Sequence, residues 1–266
     1  MVKSNGTTHG TTAPRTLAVD VGGTGIKVLV LDESGEALSE HDRAMTPRPA
    51  VPLAVIETIA QLAATHQFDR VAVGFPGVVR QGVTVTAPNL HADWHGFPFA
   101  KSLAERLTKP VRVANDADVQ GFGSISGAGL EMVLTLGTGM GSALFVDGLL
   151  VPNLELAHHP FAEGRTYEQW LGQSSLEQLG EAEWKQWLDR AITQIRHTFN
   201  FDTLYLGGGN ARMLDPVAMP SGVKVVQNIA GLLGGIALWN DMQSTSLVRA
   251  PQAVGGFCVL EPMAPM

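Results

Sequence analysis

Two strand–turn–strand units built on the same glycine turn constrain this chain more than any other feature. The first is Leu17-Ala18-Val19-Asp20-Val21-Gly22-Gly23-Thr24-Gly25-Ile26-Lys27, with the apolar run resuming through Leu31. Apolar, β-rich residues on both sides of a cluster of small ones read as strand, tight turn, strand. Glycines at such a turn let backbone N–H groups approach a ligand without interference from a Cβ, and converging N–H groups cradle phosphate. Asp20, at the strand end, could hold a hydrated Mg²⁺ against that phosphate. The turn recurs as Gly137-Thr138-Gly139-Met140, flanked by Met132–Leu136 and Ser142–Phe145. Two such units predict a duplicated α/β protein with its ligand in the cleft between the copies. Asp20 falls opposite Leu134, so only the first copy brings a carboxylate. The plainer alternative is two hairpins sharing turn chemistry by chance, and the matched flanks weigh against it.

Strands and helices alternate along the rest of the chain. Val51–His66 places Val55, Ile56, Ile59, Leu62 and Ala63 on one face, with Pro52 in the first turn. Arg70–Phe75 and Val83–Thr86 read as strands, Phe99–Lys109 as a helix, and Val111–Ala114 as a strand that delivers Asn115 and Asp116 at its end. A long helix is predicted from Ala182 to Phe199, a strand from Thr203 to Leu206, and a glycine-bearing helix from Gln227 to Trp239. In the last of these, Gly231, Gly234 and Gly235 fit either close packing or phosphate approach. Asn115-Asp116 suits a helix N-cap, and Asp118 a favourable first-turn charge.

At 266 residues, 45% of them apolar, the chain can build a substantial core. No apolar run approaches the roughly 18–20 residues that cross a bilayer. Residues 1–14 are polar and Thr/Gly-rich, expected to be disordered and not a secretory signal. A single cysteine, Cys258, excludes an internal disulfide and points to the cytoplasm. A formal charge of −7 argues against broad nucleic-acid or membrane binding. Lys27, Arg43, Arg48 and Arg80 are candidates for a local groove that takes a polyanion, or else ordinary surface charges.

The paired glycine turns, Asn115-Asp116-Ala117-Asp118, Glu155-Leu156-Ala157-His158 and Gly207-Gly208-Gly209 occur in the order found in sugar kinases of the ROK family, which the chain resembles over roughly residues 15–240. Thr46-Pro47-Arg48-Pro49, Leu150-Val151-Pro152-Asn153-Leu154-Glu155 and the lack of a cysteine cluster look closest to its glucokinase branch, which includes polyphosphate glucokinases. The resemblance implies a duplicated ribonuclease H-like, actin-like α/β fold of two lobes, with mixed sheets flanked by helices and a cleft between them. The lobes would span 15–117 and 118–245, with an irregular tail over 246–266. It implies phosphoryl transfer from Mg²⁺-bound ATP or polyphosphate to the 6-hydroxyl of glucose, or of another hexose.

On that resemblance Asp116 is the base, and Asn89, Asn115, Glu155 and His158 contact the sugar. Asp20, Gly22, Gly23, Thr24, Gly25, Lys27, Gly137, Thr138, Gly139, Gly208 and Gly209 handle phosphate and nucleotide, with Asp20 on the metal side. Lys27 could equally be an ordinary strand lysine. Ala157 replaces the family's usual glycine, and the family's additional sugar-contacting glutamate has no aligned counterpart; Glu163 is nearby. Trp94-His95-Gly96-Phe97 supplies an aromatic wall to the pocket or else core anchors. His158-His159 as a metal pair is disfavoured, because neighbours on a strand point to opposite faces. No helix-turn-helix precedes the first glycine turn, which disfavours the family's DNA-binding regulators. A homodimer is common among such kinases. Two further readings stand beside the kinase: a non-catalytic sugar sensor, and an ATPase working through partner-driven movement.

Overall fold

The computed structural model describes residues 13–226, 232 and 234–239. Expectations for residues 1–12, for most of the segment from Gln227, for the tail 246–266 and for Cys258 fall outside the described residues.

The first glycine unit forms β1 (Thr16–Val21) and β2 (Gly25–Leu31), followed by β3 (Asp42–Met45), α1 (Pro52–Ala63) and β4 (Arg70–Phe75). A small hairpin, β5 (Val79–Arg80) and β6 (Val83–Thr84), precedes α2 (Phe99–Leu107) and β7 (Val111–Asn115). These strands make a mixed sheet of order β3-β2-β1-β4-β7, antiparallel between β3, β2 and β1 and parallel from β1 to β7. Helix α1 presents Val55, Ile56, Ile59 and Ala63 to this sheet's core. Trp94 is wholly buried there among Phe75, Phe97 and Phe99, and its Nε1 donates to the Ala50 carbonyl at 2.8 Å. It is a core anchor, and the aromatic pocket wall is not built.

Helix α3 (Asp116–Phe122) starts where β7 ends and packs against both β4 and the second sheet. The second glycine unit forms β8 (Leu130–Leu136) and β9 (Met140–Val146), then β10 (Leu149–Val151). A hairpin, β11 (Pro160–Ala162) and β12 (Arg165–Thr166), leads into α4 (Tyr167–Leu171), α5 (Gln173–Leu179) and α6 (Glu181–Phe199). Strands β13 (Thr203–Gly207) and β14 (Val223–Val225) complete a sheet of order β10-β9-β8-β13-β14. Its pairing pattern repeats the first sheet's, antiparallel on one side of the central strand and parallel on the other. The duplication read from the turns is therefore a duplication of sheets.

Each sheet carries its own apolar core. The segment Gly234–Trp239 is a 3₁₀ helix against the first sheet. A Cβ at Gly234 would lie 1.8 Å from the Val119 carbonyl oxygen, and one at Gly235 would lie 3.3 Å from the Cβ of Ala18, so these two glycines serve close packing. Among the described residues no helix is long and apolar enough to cross a membrane.

Candidate active site

A cleft of about 310 Å³ opens between the sheets, where β1, β4 and β7 face the turn of β8 and β9. It is lined by Asp20, Gly22, Gly23, Lys27, Asn89, Asn115, Asp116, Gly137, Thr138, Gly139, Glu155, His158, Gly208 and Gly209. All the predicted site residues except Thr24 and Gly25 thus meet in one place. Thr24 is an exposed residue of the first turn itself, and Gly25 begins β2. The Gly25 carbonyl accepts from Gly22 N–H at 2.9 Å, and the Thr24 carbonyl accepts from Thr46 N–H at 3.3 Å.

Parallel strands deliver polar residues at their C-terminal ends because the ladder stops there and a helix begins. Asn115 ends β7 and caps α3, its Oδ1 accepting from Ala117 N–H at 2.8 Å and Asp118 N–H at 3.3 Å. Its Nδ2 donates to the Gly77 carbonyl at 3.2 Å, so the cap also pins the loop after β4. The capping requirement and the cleft requirement are met by adjacent residues: Asn115 caps, and Asp116 is left to face the cavity.

Asp116 keeps an edge open to the cleft but is otherwise surrounded by protein. Burial, and then the charge of Asp20, push its carboxyl up to about 7, against one compensating hydrogen bond from Ala117 N–H. Burial likewise raises Asp20, offset in part by Lys27, whose Nζ lies 3.5 Å from its Oδ2. Lys27 is therefore a cleft lysine. The register places Lys27 opposite Asp20 on one side and Arg43 on the other, so the three lie in a row across β1, β2 and β3. Arg48 Nη2 donates to the Gly23 carbonyl at 3.2 Å, and Thr46 Oγ1 to the Gly22 carbonyl at 2.6 Å. Arg80 is exposed on β5 and does not line the cleft.

On the opposite wall Glu155 precedes a 3₁₀ turn, Leu156–His158, which brings His158 Nε2 to 3.5 Å from Glu155 Oε2. Burial raises the Glu155 carboxyl, His158 lowers it and Glu168 raises it again. The segment is a turn and not the strand on which the metal-pair reading was rejected. His159 Nδ1 donates to the Pro160 carbonyl at 2.8 Å, and among the described residues no group of three or more His, Cys, Asp or Glu is spaced to hold a metal. Ala157 lines the cleft without a positive φ, so its backbone does not require the family's glycine.

Glu168 is the ionisable cleft residue that sequence reasoning missed. It lies in the first turn of α4, and its Oε2 accepts from Met140 N–H at 3.3 Å. A Cβ at Gly139 would come within 2.3 Å of that oxygen, so the second glycine turn is what leaves room for the carboxylate. The signal was present in Thr166-Tyr167-Glu168-Gln169, whose Thr166 and Gln169 form a capping box and mark a helix start. Glu163 instead sits exposed at the turn of the β11–β12 hairpin, with φ +52°.

In the third run, geometry demands glycine at Gly207 and Gly208 but not at Gly209. Gly208 has φ +87°, and a Cβ there would lie 2.3 Å from the Leu136 carbonyl oxygen. Asn210 Nδ2 donates to the Gly137 carbonyl at 3.3 Å and joins this run to the second glycine turn. A Cβ at Gly137 would meet nothing within 4 Å, so that position opens straight into the cleft.

The model of the ROK family matches residues 16–152, more than half of the chain. The chain belongs to the ROK family. It is 32% identical over 245 residues to the polyphosphate glucokinase of Mycobacterium leprae (strain TN), covering 85% of this chain and 75% of that protein. It is 31% identical over 242 residues to the polyphosphate glucokinase of Mycobacterium tuberculosis (strain CDC 1551 / Oshkosh), covering 84% and 91%. Among solved structures, the inorganic polyphosphate/ATP-glucomannokinase of Arthrobacter sp. strain KM matches with a TM-score of 0.77 and 32% identity, over 85% of this chain and all of that one. A ROK family glucokinase from Streptomyces griseus, solved with glucose and AMPPNP, matches with a TM-score of 0.69 at 19% identity, over 84% and 98%, and speaks for the fold alone. The two-lobe actin-like architecture of this ROK protein is thus shared with sugar kinases.

Proposed function

We propose that this ROK protein is a hexose kinase of glucokinase type, moving the terminal phosphoryl group of ATP or polyphosphate to the 6-hydroxyl of glucose. The observation that carries the reading is Asp116: a carboxyl held near neutrality, in a cleft with glycine turns on one side and hydroxyl-reading groups on the other. A sugar hydroxyl is a poor nucleophile, so transfer needs a base at its proton, in-line placement of the donor, and neutralisation of charge. Ionised Asp116 accepts the hydroxyl proton as the new oxygen–phosphorus bond forms and the donor's bridging bond breaks. The products are a sugar phosphate and a donor one phosphoryl group shorter. A base matched to the working pH in this way contributes about 10²–10⁴-fold. Glu155, His158, Glu168 and Asn89 offer acceptors and donors for the remaining hydroxyls, and such sites reject analogues that lack one.

Asp20 fits a hydrated Mg²⁺. It is a half-buried carboxylate on the cleft, only partly matched by Lys27, and its charge raises Asp116. No protein-only ligand cage lies among the described residues, so the ion would be held by Asp20, water and the donor's phosphates. When bound, it would neutralise charge on the transferring group. The backbone N–H groups of Gly23, Thr138 and Gly139 would orient the donor, those of Gly22 and Gly137 being bonded within their own turns, and closure of the lobes about α3 would keep water from competing with the sugar. The single cysteine and the family support a cytoplasmic enzyme, and a homodimer is the assembly that the resemblance implies.

Two observations weigh against the sugar-sensor reading: Glu168 brings a further carboxylate into the cleft, and Ala157 needs no unusual backbone. The test is a matrix of ATP or polyphosphate against glucose, mannose and N-acetylated hexosamines with Mg²⁺, reading sugar phosphate directly. Glucose 6-phosphate from either donor is the expected result. Bound sugar with no product from any pair would return the sensor.

A further inference from the structure

Glu155 is held in place from several directions, and one of the holds joins the two halves of the molecule. On its own side, the buried Ser142 Oγ donates to the Leu154 carbonyl at 2.6 Å and accepts from Leu156 N–H at 3.2 Å, gripping the residues on both sides of Glu155 with one hydroxyl. Two residues before Glu155 stands Asn153, at φ +61°. Its N–H points at Asp118 Oδ2 of α3, 3.5 Å away, and its Oδ1 accepts from Val79 N–H of β5 at 3.2 Å. Val79 belongs to the half of the molecule built on the first sheet, just beyond the Gly77 carbonyl that Asn115 fixes. Asn153 therefore touches the helix that carries the base, the opposite half of the molecule, and, through the chain, the residue that reads the sugar.

We propose that Asn153 is a positioning residue: by accepting the Val79 N–H from the half of the molecule built on the first sheet, it holds the Glu155 loop at the spacing that binds the sugar. The inference rests on the hexose-kinase reading above. A left-handed turn alone does not require asparagine, because glycine takes φ > 0 without steric strain. What asparagine adds is the oxygen that reaches Val79. Glu155 meets hydroxyls that do not react, so losing its alignment removes binding common to substrate and transition state, which raises KM and spares kcat.

Asn153→Gly keeps the backbone conformation and deletes only the tie. In the full chain, hydrogen exchange at the Val79 amide is expected to quicken by about tenfold or more, the loss of one partly buried hydrogen bond. KM for glucose is expected to rise by about five- to tenfold with kcat within about threefold of wild type. Asn153→Asp retains an acceptor oxygen and tolerance of left-handed backbone. Val79 stays protected in it, and its KM stays below that of N153G. Unchanged Val79 exchange in N153G, an unchanged KM, or a fall in kcat as large as the fall in kcat/KM would each overturn the inference. So would N153D as impaired in KM as N153G. Wild-type protein that neither phosphorylates nor binds a hexose overturns the functional reading and takes this inference with it. Wild-type activity with an unaltered N153G overturns the inference alone.

Discussion

Asp116 and Asp118 stand two positions apart on the first turn of α3, and burial pushes both carboxyls up to about 7. They differ in what surrounds them. Asp116 meets the cleft, where a substrate proton can reach it. Asp118 is 2% exposed, outside the cleft lining, with Oδ1 lacking any hydrogen-bond partner and Oδ2 facing the Asn153 N–H. Asp118 is the first-turn acid that the sequence implied, but the second sheet closes over that face of the helix, so burial raises its carboxyl. For Asp116 the active form is the ionised one, so kcat/KM for the sugar is expected to rise with pH through about 7 and level off above it. With the donor's Mg²⁺ beside Asp20 the repulsive contribution shrinks, but burial, the larger cause, keeps the inflection above the ordinary carboxylate range. Asp116→Asn is expected to lose about 10²–10⁴-fold in turnover while calorimetry still finds the sugar bound; wild-type turnover in D116N would remove the base assignment. Asp118 gives a stability signature of the opposite sense. A carboxyl whose folded-state pKa is raised binds more protons folded than unfolded between its ordinary 3.8 and about 7, so stability falls as pH rises through that window. Asp118→Asn relieves the buried charge. It is expected to exceed wild type by on the order of 1–2 kcal/mol at pH 8, the gain fading by pH 5, in urea titrations at the two pH values.

The glycine turns are related as sequence but not as chemistry. Gly208→Ala puts a methyl against the Leu136 backbone at a positive φ, and is expected to cost more than about 2 kcal/mol through overpacking and backbone strain, lowering the melting temperature and activity together. Gly137→Ala meets open space, so its melting temperature should stay near wild type while KM for the phosphoryl donor rises several-fold as the methyl enters the donor's path. A G137A enzyme with unchanged donor KM would place the donor elsewhere. Both turns, the helices α1, α2 and α6, and the strand that delivers Asn115 were legible in the sequence, because each owes its form to local periodicity and turn chemistry. In α6, Trp184, Leu188, Ala191, Ile192 and Ile195 recur at helical spacing and are buried, while Phe199 at the end of the same stripe is half-buried. The short hairpins β5–β6 and β11–β12 were not legible whole, being held by contacts distant in sequence; Thr84 N–H, for instance, bonds the Phe97 carbonyl. Glu168 escaped for the same reason. Its place in the cleft depends on the bare Cα of Gly139 twenty-nine residues earlier, and only the fold brings the two together.

Across the whole molecule, the charge distribution bears on which donor the cleft takes. A formal charge of −7 repels any polyanion at long range, but beyond a Debye length of about 8 Å at physiological salt that repulsion is largely screened. Close contact decides instead, and there the first glycine turn carries Lys27, Arg43 and Arg48, with Lys27 and Arg43 in register from the cleft toward the sheet edge. ATP places three phosphates in the cleft and ends in an uncharged base. Polyphosphate continues as an anion and can run along the cations. Added salt should therefore weaken polyphosphate more than ATP, because the longer anion makes more screened contacts. Between about 0.15 and 0.5 M salt, where the Debye length falls by about half, KM for polyphosphate is expected to rise several-fold and KM for ATP by less. Arg43→Ala, at an exposed edge position outside the cleft lining, should raise KM for polyphosphate and flatten its salt dependence while leaving the ATP reaction nearly unchanged. Equal effects of R43A on both donors would show that the polyphosphate chain leaves the cleft by another route, and the row across β1, β2 and β3 would then be an ordinary charged sheet edge.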